Sequence, residues 1–372
     1  MQKNYTSLGL MSGTSGDGVD TSIIRSNGID GFEVLQDKYF EYDSIIYKNI
    51  HSLKDRIFNK ADLIRFSKEL KNLEREITLF HAKTIKELQF NNDDILVGFH
   101  GQTIYHNSQE KISKQLGNGK LLNQLTKKKI VFNFRKNDIF NGGEGAPLAP
   151  IFHQLIASKL NIKLPVCFLN IGGISNITIV NEPVGSLEFF SKDIGPGNCL
   201  IDTWIRKNSD KRFDKDGKLA LSGKRNEIVF EQAQELYVNR HNKHKQSFDI
   251  SDFDISFARG LSLEDGATTL TDFSASIICS ELSFITSNKS SEIKNILLCG
   301  GGRKNIVLIE KIKKNLSNKN FKMIDDYKIS GDFIESQAFA FLAIRSFLKL
   351  PISFPNTTGC LKPCTGGELI EN

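Results

Sequence analysis

Long apolar runs are missing from this 372-residue chain. No window approaches the roughly 18 consecutive apolar residues that a membrane-spanning helix needs. The opening "MQKNYTSLGLMSGTSG" lacks the apolar core of a secretory leader, so a cytosolic protein is expected. The sequons at Asn4, Asn176 and Asn356 then carry no meaning. Clustered charge is missing as well. The net charge is +6, but the basic residues are spread along helix-like stretches such as "KNLEREITLFHAKTIKEL". The densest run, "LTKKKIV", holds only three lysines, which reads as solvated surface rather than a nucleic-acid groove. Metal-ligand spacing is absent too. Of six cysteines, Cys167, Cys279 and Cys299 lie in apolar runs and read as small buried hydrophobes; Cys199 opens a helix-like run. Cys360 and Cys364 have no second pair, so a zinc site is not expected. His241 and His244 sit in a Lys-rich polar stretch and read as solvated, and no HExxH is present.

What is present is an ordinary globular composition, 39% hydrophobic and 25% charged, at a length that suits two domains. Residues 4–12 and 19–25 read as two short strands joined by a small-residue turn. Residues 61–90 read as one long helix, with Leu63, Phe66, Leu70, Leu73, Ile77, Phe80 and Leu88 at three- and four-residue steps and Thr84 filling the gap. "DILVGFHGQTIYH" and "KKIVFNFR" read as strands, and "NDIFNGGEGAPLAPIFHQLIASKL" as a Gly/Pro loop running into a helix. At 166 the opening pattern recurs in kind: "VCFLNIGGISNITIV" is strand, Gly turn, strand. "LEFFSKDIGPGNCLIDTWIRK" and "NILLCGGGRKNIVLIEKIKKNL" follow as strand–turn–helix units, and "FIESQAFAFLAIRSFL" as an apolar final helix. The class is α/β, in two similar halves, with a ligand cleft expected where they face. The Gly/Pro-rich loop near Gly142 to Pro150 is the expected domain change.

Three loops hold candidate chemistry. "MSGTSGDGVD" (11–20) fails three motif tests. No lysine follows Gly18 as a P-loop needs, no glycine completes a GxSxG elbow, and a strand rather than a helix follows, against a dinucleotide fingerprint. There remains a hairpin whose backbone N–H groups and hydroxyls converge on an anion, with Asp17 and Asp20 able to hold a metal ion through water. A purely structural hairpin is the competing reading. In "KDIGPGN", Asp193 closes a strand and suits a general base, or caps a turn. "CGGGRKN" suits a shelf for adenine or ribose, or a close helix–strand crossing.

The order of these loops resembles the two-domain ATPase superfamily of sugar kinases, actin and the seventy-kilodalton heat-shock proteins. Within it, "MSGTSGDGVD", "HGQT" (100–103), "GGEGAPLAPIFH" (142–153), "NIGGISNIT" (170–178), "DIGPGN" (193–198), "GGGRKN" (300–305), "ESQAFAFLAIR" (335–345) and "PISFPNTTG" (351–359) resemble the anhydro-N-acetylmuramic acid kinase family over almost the whole chain. The resemblance implies an actin-like (ribonuclease H-like) fold with a central interdomain cleft. It implies one lobe of residues 1–145 plus 335–372 and a second of 146–334. It implies an ATP- and magnesium-dependent kinase of cell-wall recycling. That enzyme opens the 1,6-anhydro ring of its amino sugar with water and phosphorylates O6. Asp193 and Glu335 take the catalytic positions. Gly13, Thr14, Ser15, Gly16, Asp17, Gly18, Val19, Asp20, Gly172, Gly173, Gly300, Gly301, Gly302 and Asn305 take the ATP-binding ones, with Asp17 and Asp20 near the metal. His100, Gln102, Thr103 and Asn176 are the expected sugar contacts. A homodimer is compatible with the resemblance; nucleic acid and membrane are not expected as partners.

The chain departs from the family at Gly16, where a bulkier apolar residue is usual, and at Ile194, where Thr is common. A Lys-Ser-Thr-Gly-Arg-Glu segment is replaced by "HKQSFDISDFDISFARGLSLEDGATTLT", with Arg259 and Asp265 as candidates for its roles. Two other readings share the fold: a kinase acting on a plain hexose hydroxyl, and a non-catalytic ATPase of the actin or chaperone kind. Only the anhydro-sugar kinase consumes water, and a polymer or chaperone has no need of a base such as Asp193.

Overall fold

The computed structural model describes residues 3–90, 94–240, 248, 252–287 and 293–371; His241, His244 and the first part of the variant 244–271 segment, apart from Phe248, lie outside them. Along the chain the strands are β1 (Tyr5–Ser12), β2 (Gly18–Ser26), β3 (Phe32–Glu41), β4 (Leu96–Asn107), β5 (Ile112–Leu116) and β6 (Lys129–Phe132). They continue as β7 (Val166–Ile171), β8 (Ile174–Val180), β9 (Phe189–Pro196), β10 (Asn295–Cys299), β11 (Asn320–Met323) and β12 (Glu368–Ile370). One sheet runs β12-β6-β4-β1-β2-β3, with β5 paired to β4; the other runs β11-β10-β7-β8-β9. In the first, β1 is antiparallel to β2 and parallel to β4. In the second, β7 is antiparallel to β8 and parallel to β10. The order β3-β2-β1-β4-β6 is thus repeated as β9-β8-β7-β10-β11, so the repeat legible in two hairpins extends to whole sheets. This is the two-domain α/β, actin-like class. Among the described residues no helix is long and apolar enough to cross a membrane.

The chain divides into two compact units, Met1–Ile162 with Glu182–Phe190 and Asp332–Asn372, and Lys163–Asn181 with Ser191–Gly331. The change falls at Ile162, not in the Gly142–Pro150 loop where the sequence puts it. The reason is the helix Pro150–Lys159, which is apolar nearly all round. Its Phe152 is fully buried, with ring centroids 5.1 Å from Phe32 and 5.6 Å from Phe341, both in the first unit.

In the first unit Leu8, Leu10, Val19 and Ile23 face a core filled by the helices Ser44–Lys54 and Ser67–Glu87, through Ile46, Ile50, Leu70, Leu73 and Ile77. The expected single helix over 61–90 is broken at Phe66, which leaves helical φ/ψ and separates Lys60–Arg65 from Ser67–Glu87. Thr84 is buried on the inner face, as its place in the apolar pattern requires. The helix Ile334–Phe347 packs on β1, β2 and β4. It comes so close because Gly9 and Gly98, register partners across β1 and β4, present no side chains. A Cβ on Gly9 would overlap the Ser336 carbonyl, and one on Gly98 the Phe339 carbonyl. The second unit has its own core around the helix Leu263–Ser287, where Trp204 packs with Ile201, Leu270 and Phe273. The Trp204 indole N–H donates to the Leu263 carbonyl at 2.9 Å.

Gly98→Ala is expected to lower unfolding free energy by roughly 2 kcal/mol or more, since backbone rather than a flexible side chain must give way. Urea denaturation checks it; a loss within about 0.5 kcal/mol, the scale of a neutral surface change, would mean that the helix is not seated on that glycine.

Candidate active site

The β1–β2 hairpin presents its turn, residues 13–17, at the ends of two buried strands. The Gly16 N–H donates to the Gly13 carbonyl at 3.1 Å, closing a β-turn centred on Thr14 and Ser15. Gly16 takes a φ of +63°, and a Cβ there would sit 2.9 Å from Ile50 Cγ2. The departure at position 16 therefore has a backbone reason. Ser15 Oγ donates to Asp17 Oδ1 at 2.6 Å. Three neighbours hold the turn from behind. Gln102 Nε2 donates to the Gly13 carbonyl at 2.9 Å and Lys54 Nζ to the Thr14 carbonyl at 2.7 Å. The Tyr42 N–H donates to the Asp17 carbonyl at 2.9 Å. Ser12 Oγ lies 2.7 Å from Gln102 Oε1 and 2.9 Å from the Tyr42 hydroxyl, tying these supports together.

Asp20, half-buried on β2, is the electrostatic focus of this unit. Its carboxyl is pushed up to about 8, first by burial, then by the negative charges of Asp17, Glu335, Asp332 and Asp37. Asp332 and Glu335 arrive with the helix Ile334–Phe347, Glu335 in its first turn. Asp37 is steadied by Ser22 Oγ at 2.6 Å and Gln337 Nε2 at 3.0 Å. Burial raises its carboxyl while those two donors oppose the rise. Carboxylates gathered in this way fit a hydrated divalent cation, whose charge would relieve the repulsion. Among the described residues no three His, Cys, Asp or Glu side chains converge to cage an ion alone. A magnesium ion at Asp17 and Asp20 would keep most of its own waters.

Two of the expected sugar contacts, His100 and Gln102, are buried and engaged within the protein. His100 is buried, with Nδ1 2.8 Å from the Gly101 carbonyl and Nε2 receiving Arg135 Nη2 at 3.0 Å. Burial, then the Arg135 charge, holds it well below the usual histidine range, and both ring nitrogens are used. Its ring packs 4.5 Å from Phe339. Gln102 is fully buried and its amide is spent on Ser12, Gly13 and, at 3.2 Å, the Thr103 carbonyl. It shapes the hairpin from inside and has no surface to offer a sugar. Thr103 is half-buried on β4 and accepts from Gln115 Nε2 at 3.2 Å.

In the second unit the β7–β8 turn has a parallel construction. The Gly172 carbonyl accepts from Asn198 N at 2.8 Å, and the Gly173 carbonyl from Gly197 N at 2.9 Å and Cys199 N at 3.1 Å. A Cβ on Gly197 would overlap the Gly172 carbonyl, a requirement that the isolated letter does not reveal. Asp193 is buried near the end of β9, and its Oδ2 accepts the Phe248 N–H at 2.8 Å. Asn176 pairs in register with Asn170, half-buried.

The three late glycines divide. Gly300, at φ +79°, and Gly302 press on Asn170 and Ile171, where any Cβ would overlap. Gly301 faces open space. The close crossing is therefore present at Gly300 and Gly302. Asn305 is buried and caps the helix Ile306–Asn315, its Oδ1 accepting from Leu308 N at 3.1 Å. Arg303, not singled out by the sequence, clamps the loop. It grips Asp325 with Nε at 2.8 Å and Nη2 at 2.9 Å, and donates from Nη1 to the Gly300 carbonyl at 3.0 Å. Of the two variant-segment candidates, Arg259 is exposed, and Asp265 accepts the Lys224 N–H at 2.7 Å.

The raised Asp20 gives a signed expectation for stability without metal or nucleotide. Because the folded value lies above the ordinary one, the stability carried by its proton is full below pH 3.8. It is lost as pH rises through about 8. With a chelator present, Asp20→Asn is expected to melt higher than wild type at pH 8, the gap closing toward pH 4. Parallel melting curves across that range would remove Asp20 from this role.

The chain matches the family model for anhydro-N-acetylmuramic acid kinase over residues 5–372. It is 55% identical to the anhydro-N-acetylmuramic acid kinase of Pelagibacter ubique, over 100% of both chains. It is 36% identical to that of Agrobacterium fabrum over 98% of each, and 35% identical to that of Zymomonas mobilis over 97% of this chain and 98% of that one. The solved structure of component A of (R)-2-hydroxyglutaryl-CoA dehydratase from Acidaminococcus fermentans covers 93% of this chain and 100% of its own. Its TM-score is 0.43 at 13% identity, a likeness too remote to build on. On the matches along its whole length, the chain belongs to the anhydro-N-acetylmuramic acid kinase family.

Proposed function

We propose that this chain opens the 1,6-anhydro ring of anhydro-N-acetylmuramic acid with one water and transfers the γ-phosphoryl group of ATP to the freed O6. The products are N-acetylmuramic acid 6-phosphate and ADP, as cell-wall recycling requires. The observation that carries this reading is Asp193, a buried carboxylate late in β9 whose Oδ2 accepts a backbone N–H. An ATPase that only changes shape needs no such base.

Asp193 accepts a proton from water as the water oxygen bonds to the anomeric carbon. The bond from that carbon to O6 breaks, and O6 takes the γ-phosphorus while the bond to the β-phosphate oxygen breaks. The Thr14 and Ser15 N–H groups of the first hairpin turn donate to phosphate oxygens and stabilise the charge there. Gly301 leaves room for the nucleoside. Magnesium, when bound near Asp17 and Asp20, spreads the charge of the phosphates. Glu335, half-buried and close enough for Asp20 to feel its charge, helps orient water or sugar. Thr103 and Asn176 remain as sugar contacts in this reading. We place the enzyme in the cytosol, and a homodimer is compatible with it; light scattering would decide the latter.

Incubation with ATP, magnesium and the anhydro sugar in heavy-oxygen water is expected to give a sugar phosphate carrying one label from solvent. An unlabelled product, or phosphorylation of a plain hexose instead, would overturn the reading. Asp193→Asn is expected to lose about 100-fold or more in kcat at an unchanged melting temperature. Substantial remaining turnover would take the base role from Asp193.

A further inference from the structure

A turn binds an anion through N–H groups only if its carbonyls are kept away from the ligand. The central peptide of a β-turn is the one that flips: types I and II differ by its reversal. Here that peptide joins Thr14 to Ser15. Neither residue takes a positive φ, which excludes type II and the primed turns. In a trans peptide the carbonyl of one residue and the N–H of the next point in opposite directions. The Thr14 carbonyl is drawn to Lys54 Nζ at 2.7 Å, so the Ser15 N–H faces away from Lys54. The Gly13 carbonyl is drawn to Gln102, so the Thr14 N–H faces away from that side chain. Among the described residues neither N–H has a protein acceptor.

Lys54 is well placed to hold this arrangement. It ends the helix Ser44–Lys54, whose start is fixed by Asp43 Oδ1 accepting the N–H groups of Ile45 and Ile46 at 2.9 Å. Just before it, Tyr42 is bonded to Asp17 and Ser12 of the same hairpin. One turn back, Ile50 packs beneath Gly16. The segment 42–54 therefore wraps the turn from both ends. An ammonium donor makes a stronger bond to a carbonyl than a neutral amide does.

We propose that Lys54 is a positioning residue for the nucleotide. It locks the Thr14–Ser15 peptide with the carbonyl inward, keeps the Ser15 N–H aimed at the phosphates, and supplies the positive charge that a P-loop takes from its own lysine. The proposal rests on the phosphate-binding reading of this hairpin.

Steady-state kinetics of three variants test it. Lys54→Met keeps the stem and removes the donor. It is expected to raise KM for ATP about tenfold or more, with KM for the anhydro sugar within about twofold and the melting temperature nearly unchanged. Lys54→Arg, which keeps a charged donor, is expected to recover part of that affinity. Thr14→Pro sits at a turn position that favours proline and deletes the Thr14 N–H. It is expected to weaken ATP binding whatever Lys54 does. An unchanged KM for ATP in Lys54→Met overturns the role of Lys54. So does a loss shared equally by both substrates, or an Arg variant as weak as the Met one. If Thr14→Pro also leaves KM for ATP unchanged, the phosphate-hairpin reading itself falls.

Discussion

The seating of the helix Ile334–Phe347 on bare strand backbone is the constraint on which the first unit depends. At Gly9 and Gly98 the helix backbone lies where side chains would otherwise stand. Its first turns are then keyed to the sheet by Ser336 Oγ, 2.6 Å from Ser22 Oγ, and by Gln337 Nε2 on Asp37. A helix held at ordinary distance, roughly 10 Å from a sheet, would leave those short polar contacts unmade. It would also withdraw Asp332 and Glu335 from Asp20. A chain segment some three hundred residues from the opening hairpin is thereby built into that hairpin's electrostatics.

Both hairpins meet one further demand, and they meet it by different means. Carbonyls at an anion-binding turn must be bonded elsewhere, or they repel the ligand that the N–H groups attract. In the first unit side chains do this, Gln102 from β4 and Lys54 from a helix end. In the second unit backbone does it: the N–H groups of Gly197, Asn198 and Cys199, at the start of the helix Cys199–Asn208, take the carbonyls of Gly172 and Gly173. That solution also satisfies N–H groups that a helix start would leave open. The sheet order is repeated between units, but the supports behind the turns are not.

Much of this architecture was legible in the sequence. Apolar alternation and small-residue turns marked most strands and both hairpins, because period and turn chemistry are local. Orientation is not local, and it could not be read from the letters. His100 and Gln102 have chemically versatile side chains in a suggestive motif. Only the fold shows that Arg135 and Gly101 engage the first, and Ser12 and Gly13 the second. Gly9 and Gly98 looked like ordinary strand letters, since the helix that needs them is far along the chain. Lys54 was invisible for the same reason, standing about forty residues beyond the turn it supports. Gly16 could have been read from the sequence: a glycine closing a four-residue turn often signals a positive φ.

The repeated sheets also bear on why Asp193, rather than Asp37, suits the base. β3 and β9 hold equivalent places in their sheets, and each carries a carboxylate shielded from solvent. Asp37 has both oxygens engaged, one by Ser22 and the other by Gln337. Those two donors oppose the rise that burial imposes on its carboxyl, and each fixes one oxygen to a neighbouring element. Its work is to key the helix and add negative charge around Asp20. Asp193 carries the Phe248 N–H on Oδ2 and stands within β9, two residues before Gly195. The partners of Asp37, Ser22 on β2 and Gln337 on the helix Ile334–Phe347, join strand to helix and mark it as a structural acid.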